Sequence, residues 1–289
     1  MKVEPVTGDK AMSLDLGNGA TMTLLRIPPG TFTMGSDTET PDERPASGVR
    51  ITKPFWMAAT EVSVAQFKAF DPAHDNGVYD MQHYNHVKRG YYMNFEKDAQ
   101  FPAIRVSWEQ AIAFCAWLSA KTGKRVTLPT EAQWEWACRG GTETPLSFGD
   151  FSTDFSPFAN LAGAERREMA VDGQNPKPMK NPPAYRDYEL RDPRFSDGIL
   201  HLANVGSFKP NPFGLYDMHG NVAEWTRSAY RPYPYSDDDG RNNAKVDERK
   251  VIRGGSWNSR QIRATSTWRW GYPGWTRPFD VGFRVIIED

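Results

Sequence analysis

The sequence predicts a loop-rich fold in which short strands mix with a few short helices, held together by aromatic packing and turn chemistry. Three observations carry this. The 289 residues include 24 Gly and 22 Pro, aromatic side chains make up 13% of the chain, and only three stretches carry clear helix-start signals. The mean hydropathy of −0.65 would also suit a disordered chain. Disordered chains, however, are poor in aromatics, so the chain is read as folded. No linker, low-complexity boundary or internal repeat divides it, and residues 1–289 are read as one domain large enough to bury a core.

The elements follow in order. Residues 22–35, MTLLRIPPGTFTMG, predict two short strands around a Pro-Pro-Gly turn. Residues 36–50 are polar and contain Pro, and are read as a loop. Three helices then start under one chemical rule. Ser63 with Gln66 opens VAQFKAF, Ser107 with Gln110 opens AIAFCAWLSA, and Thr130 with Gln133 opens AQWEWACR. In each, the hydroxyl accepts from the third helical N–H while the Gln side chain returns to the cap N–H. Gly123 and the pair Gly140-Gly141 supply the stops. Phe114, Trp117 and Leu118 share one helical face. From about residue 142 to 213 periodicity disappears, and a structureless stretch of that length calls for a pin such as a metal, or a binding surface. The insertion at about 71–100 raises the same question.

Composition excludes several classes. A net charge of −1 gives no general affinity for nucleic acid or an anionic membrane. No apolar run approaches the roughly 18 residues of a membrane span, so no membrane insertion is expected. The first residues, MKVEPVTGDKAMSLD, lack the apolar stretch of a secretory leader. The chain is thus expected to be soluble, either cytoplasmic or exported after losing a leader. Cys115 and Cys138 are too few for a disulfide framework and read as buried apolar thiols. Nucleophile elbow, phosphate loop, dinucleotide fingerprint and zinc-finger spacing are all missing.

Two dense segments remain, GLYDMHGNVAEW at Gly214–Trp225 and the closing stretch Val251–Arg284, which holds four of the ten Trp. With them the chain shows seven motifs in order: IPPGTFTMGS, TEVSVAQF, VSWEQAIAFCAWL, RVTLPTEAQWEWACRGG, PNPFGLYDMHGNVAEW, RGGSW and VGFR. This resembles the formylglycine-generating enzyme, or sulfatase-modifying factor, family over about residues 22–285, with insertions at about 71–100 and 162–196. The resemblance implies an α+β, C-type-lectin-like fold with little regular secondary structure. The same domain type occurs in ergothioneine-type sulfoxide synthases, in a pyoverdine-maturation protein and in retroelement variable proteins, so fold alone does not give function. A retroelement variable protein should be rich in Asn near its end, yet Asn258 is the single Asn between Arg253 and Arg284.

The resemblance also implies two structural calcium ions. Asn160, the Leu161 carbonyl, Asp197 and the Ile199 carbonyl match the first site, and Gly220, Asn221, Val222 and Glu224 match the second. Calcium takes six to eight hard oxygens in flexible geometry, which suits pins for long loops. Formylglycine synthesis needs two thiolates spaced C-x4-C, soft ligands for Cu(I). Here those positions are Ser259 and Ala264, so formylglycine synthesis is not expected. Cys115 and Cys138 fall where some members carry structural cysteines, but the partner positions hold Val285 and Arg269.

What the resemblance leaves is a cleft with different side chains. Trp225 and Ser256 match the family's substrate cleft, and Trp257, Asn258, Ser259, Arg260, Arg263, Trp268 and Arg269 surround them. Arg can grip an anion bidentately and Trp offers flat apolar area, so the expected ligand is a peptide, a glycan, or a small anionic or aromatic molecule. In the first insertion, His74, His83 and His86 could ligate a second metal, copper, iron or zinc; the sulfoxide synthases take their iron from a separate helical domain, which is not expected here. Tyr79, Tyr84, Tyr91 and Tyr92 could instead make this insertion a lid or recognition loop. Two readings follow: an oxidase acting on something other than a sulfatase cysteine, or a calcium-stabilised binding module without catalysis.

Overall fold

The computed structural model describes residues 10–80, 92–94, 99–169, 191–245 and 247–288. In chain order its strands are β1 (Ala11–Gly17), β2 (Ala20–Ile27), β3 (Gly30–Met34), β4 (Ser47–Ile51), β5 (Phe55–Ala58), β6 (Val78–Asp80), β7 (Tyr92–Asn94), β8 (Val126–Thr127), β9 (Ala223–Ala229), β10 (Lys250–Arg253), β11 (Arg269–Tyr272), β12 (Val281–Phe283) and β13 (Ile286–Glu288). The helices are α1 (Val64–Lys68), α2 (Trp108–Thr122) and α3 (Glu131–Arg139). A five-stranded sheet has the order β1-β2-β5-β13-β8, and a four-stranded sheet the order β11-β10-β9-β12. Two hairpins, β3-β4 and β6-β7, stand outside them. This is the α+β, loop-rich architecture that the sequence predicts.

Local chemistry explains the elements. β1 and β2 meet at Asn18-Gly19, both with positive φ, as a two-residue turn twisted to match the strands requires. All three helices start with complete capping boxes, at Ser63/Gln66, Ser107/Gln110 and Thr130/Gln133. Two end on glycines in the left-handed region, Gly123 and Gly140. One expectation is corrected: the polar stretch 36–50 is not all loop, because Ser47–Ile51 pairs with Gly30–Met34 as β4. Only Val49 and Ile51 of that strand are buried, so its apolar alternation is too short to stand out.

α2 lays Ala111, Phe114, Cys115 and Leu118 against the five-stranded sheet and the far end of the chain. Phe114 stacks on Phe67 at 5.7 Å and meets Phe283 edge-on at 5.4 Å. Each fully buried Phe is worth about 2–3 kcal/mol. α3 packs Trp134, Ala137 and Cys138 with Met34, Met57, Leu215 and Tyr233. Both cysteines are buried and unpaired. The long segment after residue 142 holds, where described, one 3-10 stretch at Ala164–Met169 and isolated bridges. No helix among the described residues is long and apolar enough to cross a membrane.

Candidate functional site

β10 delivers the chain into the closing segment through Gly254 and Gly255, both with positive φ. A Cβ on Gly255 would lie 2.4 Å from the Arg263 carbonyl oxygen, so only glycine lets the turn fold back on the following loop. The loop and strands beyond it border a cleft of about 630 Å3. Its polar floor includes Ser256, Ser259 and Asp280. The Ser256 hydroxyl donates to Asp280 Oδ2 at 3.0 Å and accepts from the Asn258 backbone N–H at 3.2 Å. Ser259 Oγ accepts from the Ser256 backbone N–H at 3.1 Å. Burial raises the Asp280 carboxyl above its ordinary range, against the Ser256 hydrogen bond and the Arg166 charge, which lower it.

Aromatic side chains build the walls. Tyr230, Trp268, Trp270 and Tyr272 all line the cleft, and Trp270 is 47% exposed. At the rim the Tyr230 hydroxyl donates to Asp42 Oδ2 at 2.6 Å, and Thr40 donates to Asp42 Oδ1 at 2.5 Å.

The residues expected from sequence divide into two groups. Ser256, Asn258, Ser259, Arg263, Trp268 and Arg269 line the cleft, whereas Trp225, Trp257 and Arg260 are not among its lining residues. Trp225 is fully buried and donates its indole N–H to the Val106 carbonyl at 3.0 Å. Trp257 packs with Ile104, Leu202 and Val222, and the Arg166 guanidinium lies over its ring. Arg269 borders the cleft, but its guanidinium is held by both oxygens of Glu131, at 2.7 and 3.0 Å, and by the carbonyls of Asp42 and Arg231. It therefore braces the wall. Tyr230, Tyr272, Asp42 and Asp280 escaped the sequence reading. Of these, Asp280 alone had a signal, its place directly before the VGFR motif.

The two thiol positions of the family differ sharply. Ser259 is in the cleft. Ala264 is fully buried in an apolar cluster with Phe155, Ala159 and Leu161. His219 fixes the backbone there, donating from Nδ1 to the Ala264 carbonyl at 2.6 Å while its Nε2 accepts from the Ser147 N–H at 3.0 Å. Burial brings the His219 pKa down to about 4, so the ring is neutral and the donor–acceptor pattern is self-consistent. Cys138 lies 3.5 Å from His219 Nε2, but burial pushes its pKa up to about 12, so it is an inert thiol.

The expected cation ligands also separate. Asn160 donates to the His201 carbonyl and to Asn221, which leaves its Oδ1 buried without a partner. The Asp197 carboxylate accepts from the backbone N–H of Leu161 at 2.9 Å and of Ile199 at 2.8 Å. Burial, chiefly, and the nearby Glu165 charge raise its pKa to about 7. An orphaned amide oxygen on Asn160 and a desolvated carboxylate bonded to the N–H of the next residue fit a hard cation. Around the second group, Glu224 does not fit. Both of its oxygens are held by Arg284, and Oε2 also accepts from the Trp134 indole N–H at 2.8 Å. The Asn221 side chain is likewise engaged, with Glu61, Ala203 and Asn160. Glu61 and Asp217 each carry a buried carboxylate oxygen without a partner, and the other Glu61 oxygen accepts from Asn221. Burial raises both carboxyls, and each is further affected by the other's proximity.

His74 is buried, with Nε2 3.1 Å from Asn76 Oδ1 and its ring edge-on to Phe67. Among the described residues no group of three or more His, Cys, Asp or Glu could hold a metal. His83, His86, Tyr84 and Tyr91 lie outside the described residues.

Comparison with known proteins adds four relationships. The family model of the sulfatase-modifying factor enzyme 1-like domain matches residues 16–289. The chain is 30% identical to the inactive C-alpha-formylglycine-generating enzyme 2 of Bos taurus, over 94% of this chain and 90% of that protein. It is also 30% identical to the formylglycine-generating enzyme of Mus musculus, over 70% of this chain and 57% of that protein. Among solved structures, PvdO from Pseudomonas aeruginosa superimposes with a TM-score of 0.72 at 27% identity, covering 98% of this chain and all of the other.

Proposed function

The chain belongs to the sulfatase-modifying factor enzyme 1-like family, and from that premise we propose that it is a divergent member whose cleft holds a ring-bearing ligand in place of a sulfatase cysteine. The observation that carries this is the pair Ser259 and Ala264. A hydroxyl in the cleft and a methyl in an apolar cluster cannot supply the two soft thiolates that bind Cu(I). The similarity to a relative named inactive agrees with that loss. The four aromatic side chains favour a planar ring, and the Ser256–Asp280 floor favours a polar edge that exchanges hydrogen bonds with it. Arg263 at the wall would accept an anionic substituent.

Asp280 favours a second reading, an enzyme such as an oxidase acting on a substrate other than a sulfatase cysteine. A carboxyl with a raised pKa, bonded to a serine in the cleft, is suited to holding or moving a proton.

Calcium is proposed as the structural cation at Asn160 and Asp197, with the carbonyls of Leu161 and Ile199. At the second group it would rest on Asp217 and Glu61 with the carbonyls of Gly220 and Val222, and not on Glu224. Elemental analysis with and without chelator tests the whole scheme. Calcium alone supports the binding reading, and one equivalent of copper or iron supports the oxidase reading. A C-x-P-x-R peptide should remain unmodified; formylglycine formation on it would overturn the proposal.

A further inference from the structure

A second concavity, of about 420 Å3, shares no lining residue with the first. Its charged lining consists of Arg50, Lys53, Arg125 and Arg227 against Asp237 and Glu288. Four cations against two carboxylates leave an excess of two positive charges in a chain whose net charge is −1. The two acids are already engaged. Glu288 takes the partly buried Arg227 at 2.6 Å, which holds that guanidinium in place, and meets the largely exposed Arg125 at 3.2 Å. Asp237 accepts from the Tyr235 hydroxyl at 2.7 Å and from Asn242 at 3.0 Å. The cations are not used up. Arg50 and Lys53 are exposed, and among the described residues their side chains form no ion pair or hydrogen bond.

We propose that this concavity binds a phosphate or sulfate group carried on a small molecule, independently of whatever the first cleft holds. Its excess charge matches a phosphate dianion, and the Arg227 guanidinium fixed by Glu288 gives a tetrahedral anion one preorganised donor. The partly exposed Pro54 gives the same concavity a small apolar side against which the carrier can rest. Its volume lies within the range of small-molecule sites, roughly 300–1,000 Å3. A nucleic-acid partner would instead use an extended basic stripe, and the near-neutral chain carries no such excess overall.

The test is calorimetric titration of the full chain at low salt with inorganic phosphate and, separately, with ribose 5-phosphate. Saturable binding is expected, weakened about tenfold or more in the Arg50→Ala/Lys53→Ala variant and unchanged in Lys68→Ala. Tighter binding of the ester assigns the carried phosphate, and equal binding assigns the free anion. No saturable binding, or binding that ignores the double substitution, overturns the site. Because Arg50 and Lys53 are exposed, an unchanged melting temperature will show that the variant is folded.

Discussion

Arg284 closes on Glu224 with its Nε–H 2.7 Å from one carboxylate oxygen and its Nη2 2.6 Å from the other, and neither side chain reaches solvent. The pair joins the last motif of the chain to the segment sixty residues upstream. It lies beside the parallel pairing of β12 with β9, in which Gly282 faces Glu224. Arg284 also donates to the carbonyls of Ala58, Ala59 and Tyr216, so one guanidinium ties together four parts of the chain. Removing one partner leaves the other charge buried and unpaired, which costs about 3–5 kcal/mol. Arg284→Met is therefore expected to destabilise the fold by that much in urea denaturation. A loss below about 1 kcal/mol, the worth of a surface pair, would refute the buried-pair reading.

The two family thiol positions should respond differently to restoration. Ser259→Cys places a thiol in the cleft and is expected to react readily with a thiol reagent in the native state. Ala264→Cys places it among Phe155, Ala159 and Leu161, where reaction should require opening of the fold. Labelling rates of the two single variants check this, with allowance for the buried Cys115 and Cys138 through the unsubstituted chain. Equal rates would mean that Ala264 faces the cleft after all.

Trp225 and Trp270 test where the cleft ends and the core begins. Trp225 is fully buried and bonded to Val106, whereas Trp270 is 47% exposed in the cleft wall. Trp225→Ala is expected to cost about 3–5 kcal/mol through its cavity and its lost hydrogen bond, and Trp270→Ala less than about 1 kcal/mol. Denaturation midpoints measure both, and comparable losses would place Trp270 in the core.

How far the sequence could be read depends on the range of the interactions. The three helices were legible because a capping box spans four residues and a glycine stop is its own signal. β4 was hidden because two buried residues, Val49 and Ile51, are too few for a period. The Arg and Trp of the closing segment were legible as important and illegible as to role. Arg253, Arg269 and Arg284 pair with Glu135, Glu131 and Glu224, partners 60 to 138 residues away. No local pattern separates an arginine that meets such a partner from one that meets a ligand. The same limit applies to the proposed cation ligands. Asn160 and Asp197 stand out as polar residues in an aperiodic stretch, but the proposed choice of Asp217 and Glu61 over Glu224 depends on which carboxylate Arg284 reaches.

Asp197 gives the calcium proposal a pH signature. Without cation, its carboxyl titrates at about 7, well above an unfolded Asp, because burial disfavours the charge. A raised acid contributes stability that is fully present below the unfolded pKa, near 4, and is lost as pH rises through about 7. The chelated protein should therefore lose stability between about pH 4 and 7 from this group. Calcium needs the ionised carboxylate and must displace the proton below about pH 7, so its stabilising effect should be larger at pH 8 than at pH 5. Melting temperatures at both pH values, with calcium and with chelator, measure the difference. Asp197→Asn should abolish the pH dependence of the calcium effect while leaving the chelated protein no less stable at pH 8. An equal calcium shift at both pH values, or none at either, would count against Asp197 as a ligand.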